Sequence, residues 1–341
     1  MTKLRALVVG AGEMGKAWAR AADANLDVTV VGWVDLCPER AEHGVTELGL
    51  TDVSIGDDLS AALERCNPDF VIDATVPEAH HAVTARCLDA RVPVLGEKPM
   101  AATIEEAKDL VARAQANTTL FVVSQNRRYH PGLAAFRQLC VTYLGRIGQL
   151  NAEFYRGPRL GGFRDEMDSP LLLDMAIHTF DAARFIIGSD PVSVHCVEFN
   201  PPWSWYRGAA SAVAEFEFVG GARFSYEGSW CAHGHPTSWE SSWRVLGERG
   251  SAVWDGASDP VAELALGDWT SGALDEKRER IECEPISIVG EGILGSLADF
   301  IGALRTGVVP MNECHDNLKS FAMVMAALES SRTGQRVRVD I

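Results

Sequence analysis

"LRALVVGAGEMGKAWARAADA", residues 4–24, decides the architecture. A short apolar run ends on glycine, and Gly10, Gly12 and Gly15 form G-x-G-x-x-G just before a helical pattern opens. Each glycine has its own reason. Gly10 permits the tight turn, Gly12 lets the backbone approach a pyrophosphate, and Gly15 lets helix and strand pack closely. The pyrophosphate would meet the free N–H groups of the first helical turn, at Glu13 and Met14, and the positive end of the helix dipole. Asp35 stands at the end of the next apolar run, 20 residues beyond Gly15, where a carboxylate accepts from ribose hydroxyls. A 2′-phosphate there would face that carboxylate, so NAD is the expected cofactor. Arg40, the nearest basic residue, leaves NADP as the alternative.

Outward from this stretch the first third keeps alternating. Apolar, β-branched runs read as strands at VTVVGWV (28–34), DFVIDA (69–74), VPVLG (92–96) and LFVVSQ (120–125). Between the strands, GEMGKAWARAADA, DLSAALERC, PEAHHAVTARCLDA and TIEEAKDLVARAQA carry helical spacing. Such alternation predicts βαβ units and a parallel sheet covered on both faces. After about residue 125 the pattern changes. Strands lengthen and alternate polar with apolar, as in AVAEFEFVGGARFSYEGSW, where Gly220-Gly221 reads as a hairpin turn. SSWRVLGERGSAVWDG turns near Arg249-Gly250, helical patterns fall at 131–143, 171–187, 291–306 and 317–332, and QRVRVDI closes as a strand. The expected fold is an α/β Rossmann domain over 1–125, then an α+β domain over 126–341 with a mainly antiparallel sheet and helices on one face.

Composition bounds the function. With 341 residues the chain has room for two domains, each with a core of its own. Lys and Arg number 31 against 47 Asp and Glu, a net charge of −16 that repels phosphate backbones and anionic membranes. Neither nucleic acid nor a membrane is an expected partner. No run reaches the ~18 apolar residues of a bilayer span. The N-terminal residues enter a strand at once without a signal-peptide pattern, so a cytoplasmic location is expected. Eight cysteines with no C-x-x-C pair read as reduced thiols rather than a disulfide or zinc framework.

Two stretches carry chemistry. VLGEKPM (94–100) places Glu97 and Lys98 where a strand of the parallel sheet ends, the side on which such sheets bind ligands. Pro99 stiffens the backbone behind Lys98. An ammonium there can hydrogen-bond a substrate oxygen and stabilise developing negative charge; a surface Lys–Glu pair is the plainer reading. LLLDMAIHTFD (171–181) sets Asp174, His178 and Asp181 at helical spacing, on one face. That stripe could hold a metal, satisfy itself within a core, or move protons. A metal needs further ligands, and His233 and His235 lie in a Gly/Pro-rich turn with nothing linking them to Asp174, so no metal is expected. Histidine suits proton transfer near neutrality. Nine tryptophans, and arginines at 127, 128, 156, 159 and 164, would suit a polyhydroxy or carboxylated ligand, or equally sheet packing and surface ion pairs.

Taken together, GAGEMG, TVPEAHH (75–81), GEKPM and LLLDMAIHTFD resemble the Gfo/Idh/MocA oxidoreductases, and the likeness runs on through SQNRRYHPG (124–132) and SSRTGQRVRV (330–339). The resemblance implies a Rossmann domain, a second domain with a large open antiparallel sheet, and hydride transfer between nicotinamide and a secondary hydroxyl of a sugar, sugar derivative or cyclitol. It implies Lys98, Asp174 and His178 as the catalytic set. His178 would take the hydroxyl proton, Lys98 would stabilise the same oxygen, and Asp174 would hold a hydroxyl and support the imidazolium. Thr75, Pro77, His80, Glu97 and Lys98 would line the cofactor, while Arg128 and Arg156 join Lys98, Asp174 and His178 at the substrate. Asp181, one turn beyond His178, would either orient its ring or cap a neighbouring element. A homodimer or homotetramer through the open sheet is implied as well. The sequence departs from the family at Asp168-Ser169-Pro170 and at Ala176, where glycines are common. Rival readings on the same scaffold are an NAD-bound glycosidase that works by transient oxidation, and a nucleotide-binding sensor without catalysis.

Overall fold

Leu4–Val9 forms β1, buried at its last four positions, and the glycine turn leads into α1 (Glu13–Ala24). The same unit repeats through β2 (Val28–Val34), α2 (Pro38–Leu48), β3 (Ser54–Gly56), α3 (Leu59–Cys66), β4 (Phe70–Asp73), α4 (Pro77–Asp89), β5 (Val94–Gly96), α5 (Ile104–Asn117) and β6 (Phe121–Val123). The strands pair in the order β3-β2-β1-β4-β5-β6, every pair parallel, which is the doubly wound order of dinucleotide-binding sheets. Local chemistry sets the helix ends. The Asp58 side chain accepts from the Ala61 N–H to start α3, a Thr103–Glu106 capping box starts α5, and Gly49, at φ +67°, ends α2. β3 and α2 escape the sequence reading for physical reasons. β3 is three residues long and only half-buried, and α2 buries just Ala41 and Gly44.

This is a computed structural model that describes residues 2–266, 277–283 and 286–341. The chain divides into two units, Met1–Asn126 with Val289–Leu318, and Arg127–Ile288 with Lys319–Ile341. The first unit is built from two separate stretches of the chain. α8 (Ile293–Thr306) packs Leu297, Phe300 and Ile301 into the same core as Ala6, Val8, Phe70 and Ile72, with the rings of Phe70 and Phe300 edge to face at 5.3 Å. The division falls within α9 (Cys314–Thr333).

In the second unit a nine-stranded sheet runs β14-β13-β12-β11-β7-β10-β9-β8-β15. Its members are β7 (Ile147–Tyr155), β8 (Pro191–Phe199), β9 (Ser211–Phe218), β10 (Arg223–Ser229), β11 (Ser242–Gly247), β12 (Gly250–Trp254), β13 (Val261–Leu266), β14 (Lys277–Glu282) and β15 (Val337–Arg338). All pairs are antiparallel except β7 with β10. Both expected hairpins form, β9 with β10 about Gly220-Gly221 and β11 with β12 about Arg249-Gly250. Strict alternation puts Ala214, Phe216, Phe224 and Tyr226 on one buried face. Phe180 of α7 (Ile177–Ile187) meets it edge-on, 4.8 Å from Phe216 and 5.2 Å from Tyr226. α6 (Pro131–Leu139) precedes β7. No described helix is long and apolar enough to cross a membrane.

Candidate functional site

The glycine turn of the first unit tests the dinucleotide reading directly. Gly10 sits at φ +96°, and a Cβ there would lie 2.5 Å from the Ala74 carbonyl oxygen, so only glycine fits. A Cβ on Gly15 would overlap the Gly10 carbonyl oxygen, which also accepts from Trp33 Nε1 at 2.9 Å. Gly12 is different. Nothing lies within 4 Å of where its Cβ would stand, and its φ of −75° is open to any residue. The protein's own packing therefore does not explain that glycine, whereas close approach of a phosphate to the backbone does. Glu13 and Met14 open the helix, with Met14 42% exposed at the rim. Asp35 ends β2 as expected, and it has a second task that spacing does not reveal. Its Oδ2 accepts from the Ala11 N–H at 2.7 Å and its Oδ1 from the Cys37 N–H at 2.9 Å, so the carboxylate also shapes the turn. These residues fit NAD.

Two more loops stand at the carboxyl ends of β4 and β5. Asp73 Oδ1 accepts from the Thr75 hydroxyl at 2.6 Å, and its Oδ2 accepts from Thr84 at 2.9 Å, fixing the start of α4, where Pro77 takes the first position. His80 is 2% exposed, with both ring nitrogens close to backbone carbonyls. Its Nδ1 donates to the Pro99 carbonyl at 2.6 Å, and its Nε2 lies 3.2 Å from the Thr75 carbonyl. It thereby ties the loop after β4 to the loop that carries Lys98. Glu97 is likewise buried. Its Oε1 accepts from Trp18 Nε1 at 2.7 Å and its Oε2 from the Lys98 N–H at 3.2 Å, while burial pushes its carboxyl above the usual range. Both residues position Lys98 from behind. The Lys98–Pro99 peptide bond is cis.

In the second unit the D-x-x-x-H stretch departs from regular spacing. Leu171–Ala176 winds as a π-helical turn and passes into α7 at Ile177. The wider turn rotates Asp174 away from the α-helical register, and such turns are frequent at functional sites. Asp174 and His178 are both buried, and the expected single stripe separates into two networks. Asp174 Oδ2 accepts from Arg164 Nε at 2.7 Å. Asp181 faces elsewhere, accepting from Arg128 Nε and Nη2 at 2.7 and 2.6 Å and from the Ser320 hydroxyl at 2.6 Å. Asp181 thus grips Arg128 rather than the His178 ring, and Arg128 is 6% exposed. Arg127, buried beside Glu240 at 3.6 Å, has its guanidinium pKa lowered by burial against the opposing pull of Glu240, Tyr226 and Asp174. Arg156 is half-buried at the end of β7, with Nη1 donating to the Thr237 carbonyl at 2.9 Å and its guanidinium 4.4 Å above the Trp239 ring. Arg164 as the partner of Asp174 has no signal in the sequence beyond its place in the preceding loop.

Residues 4–125 match the family model "Oxidoreductase family, NAD-binding Rossmann fold", and residues 143–339 match "Oxidoreductase family, C-terminal alpha/beta domain", both of the Gfo/Idh/MocA group. Among curated relatives, the 1,5-anhydro-D-fructose reductase of Ensifer adhaerens is 24% identical, covering 98% of each chain. The scyllo-inositol 2-dehydrogenase (NAD(+)) of Bacillus subtilis is also 24% identical, covering 99% of this chain and 97% of its own. Among solved structures, an oxidoreductase from Agrobacterium radiobacter in complex with NAD+, L-tartaric acid and magnesium superposes with a TM-score of 0.86 at 21% identity, covering 99% of each chain.

Proposed function

The chain belongs to the Gfo/Idh/MocA family of NAD-binding oxidoreductases, which act on CH–OH groups, and on that premise we propose that it oxidises or forms a secondary alcohol on a sugar, sugar derivative or cyclitol. The observation that carries this reading is the buried acid and imidazole at the π-to-α junction, Asp174 at 9% and His178 at 7% exposure, with Asp174 held by Arg164. Burial removes competing water and strengthens each electrostatic contact to a bound hydroxyl. His178 accepts the proton of the reacting hydroxyl in oxidation and returns it in reduction. The Lys98 ammonium, on a backbone set by Glu97 and His80, donates to the reacting oxygen and stabilises its growing negative charge. Asp174 accepts from a substrate hydroxyl and favours the charged imidazole. NAD, when bound, supplies the hydride acceptor, and the Gly10–Gly15 turn with Asp35 holds it. The relatives' names, a 1,5-anhydro-D-fructose reductase and a scyllo-inositol 2-dehydrogenase, support the polyol class. Assembly as a homodimer or homotetramer through the exposed face of the nine-stranded sheet belongs to the same proposal.

The test follows nicotinamide absorbance while the protein and NAD are incubated with panels of cyclitols, aldoses and glycosides. A rise with one polyol class is expected. Lys98→Met and His178→Ala should each lower turnover on the order of 10²-fold or more while NAD still binds. Near-normal turnover in both variants removes the assigned roles, and aglycone release from a glycoside with flat absorbance removes the net-oxidation reading.

A further inference from the structure

Many of the chain's arginines face a carboxylate. Arg164 holds Asp174, Arg127 faces Glu240, and Arg207 takes Asp168 at 2.7 Å and Glu166 at 3.8 Å. Arg156 and Arg159, just beyond the end of β7, are among those that do not. Among the described residues no carboxylate stands within ion-pair distance of either. Each rests instead on an indole, Arg156 at 4.4 Å from the Trp239 ring centre and Arg159 at 4.6 Å from that of Trp205. Arg156 uses one of its five N–H donors, on the Thr237 carbonyl, and Arg159 makes no hydrogen bond to another described residue. A guanidinium over an aromatic face can still offer its edge donors to a ligand, in a fork that matches a carboxylate.

Both platforms lead back to Asp174. The Trp205 ring lies 5.3 Å from that of Tyr206, whose phenol is pushed up by burial and, to a lesser degree, by Asp165 and Asp174. On the other side Trp239 packs 6.5 Å from Phe154, and the Arg127 guanidinium stands over Phe154 at 5.8 Å while feeling the charge of Asp174. Each arginine is thus linked to the proposed proton-transfer helix through aromatic side chains of its own unit. Neutral sugars and cyclitols give such forks no charge to meet.

We propose that the substrate is an anionic polyol, a sugar acid or an equivalent carboxylate, whose charge is bound by Arg156 and Arg159. This rests on reading Asp174 and His178 as the reacting end. The two guanidiniums then act as specificity residues, raising affinity for the acid over its neutral counterpart by charge-assisted hydrogen bonds.

The test uses the full-length protein loaded with NAD and two probe pairs, D-glucose with D-glucuronate and D-galactose with D-galacturonate. Binding is read from quenching of tryptophan fluorescence, since Trp205 and Trp239 lie beneath the two guanidiniums, and turnover from nicotinamide absorbance. At least one acid should bind on the order of tenfold or more tightly than its neutral partner, with the advantage shrinking as salt rises. Arg156→Gln and Arg159→Gln, singly and together, should lower acid affinity by about 10- to 100-fold. Arg156→Lys and Arg159→Lys should restore part of the acid preference, which a packing role for the guanidinium stems would not. Equal binding of acid and neutral partner, an acid preference that survives the double glutamine variant, or no quenching by either acid at millimolar concentration overturns the inference. Acid-selective binding without turnover leaves it standing and counts against the proposed reaction. Turnover of neutral sugars with no acid preference does the reverse.

Discussion

Replacing Asp181 by asparagine separates two roles that its position allows. If Asp181 oriented the His178 ring, the variant would fold normally and alter catalysis. The structure assigns it to Arg128, gripped at 2.7 and 2.6 Å with exposures of only 6% and 2% on the two side chains, and to Ser320 at 2.6 Å. Removing the charge takes the counter-ion from a buried guanidinium, a loss worth about 3–5 kcal/mol in comparable buried pairs. For a unit of this size each kcal/mol lowers Tm by roughly 2–4 °C, so Asp181→Asn should melt about 6–20 °C below the parent. Urea unfolding followed by tryptophan fluorescence gives the free energy independently. Arg128→Met combined with Asp181→Leu should recover most of the loss, because an apolar pair of similar volume leaves no buried charge. At a temperature where the single variant remains folded, the pH profile of kcat should stay that of the parent. A variant within about 1 kcal/mol of parental stability but with a displaced pH profile would refute this reasoning and return Asp181 to the histidine.

Gly12→Ala and Gly15→Ala should part company although both belong to the same motif. The first meets open space and should leave Tm unchanged while weakening NAD binding by about tenfold or more; the second forces a Cβ onto the Gly10 carbonyl and should cost about 1–3 kcal/mol or more of stability. Parental NAD affinity in Gly12→Ala, by calorimetric titration, would rule out the proposed approach of the pyrophosphate. Asp35→Ala should raise the NADP to NAD ratio of kcat/KM by about tenfold, and weaken both cofactors because the Ala11 N–H loses its acceptor. An unaltered ratio would mean that Asp35 shapes the turn without reading the ribose. Burial pushes the Glu198 carboxyl up to about 7, against a Ser169 hydrogen bond that favours the charged form. Raised in the folded state, this group contributes stability that is full below its ordinary value of 4.5 and lost as pH rises through about 7. Glu198→Gln should therefore gain about 1–2 kcal/mol on the parent between pH 5 and pH 8, solvent at its partly exposed side chain screening the remainder. A difference in Tm that does not change with pH would sink that account.

Most of the first sheet and the glycine turn were legible in the sequence, because their causes are local. Continuous apolar runs separated by helical spacing specify strands buried on both faces, and the positive φ of Gly10 is a demand that one residue type meets. Hairpins at Gly220-Gly221 and Arg249-Gly250 were legible for the same reason. Family motifs located Lys98, Asp174 and His178, and spacing put the last two on a helix. The tertiary structure shows which polar side chains hold the frame. α8 reads as just another amphipathic helix until Phe300 is found against Phe70, far earlier in the chain. His80 and Glu97 also bond Pro99, Thr75 and Trp18, contacts that no local spacing announces. Asp181 sits three residues from His178, yet its partners lie 53 and 139 residues away. Spacing fixes the direction of a side chain along its own helix. The charge it finally meets is set by whichever distant element packs against that face, and no local rule carries that information.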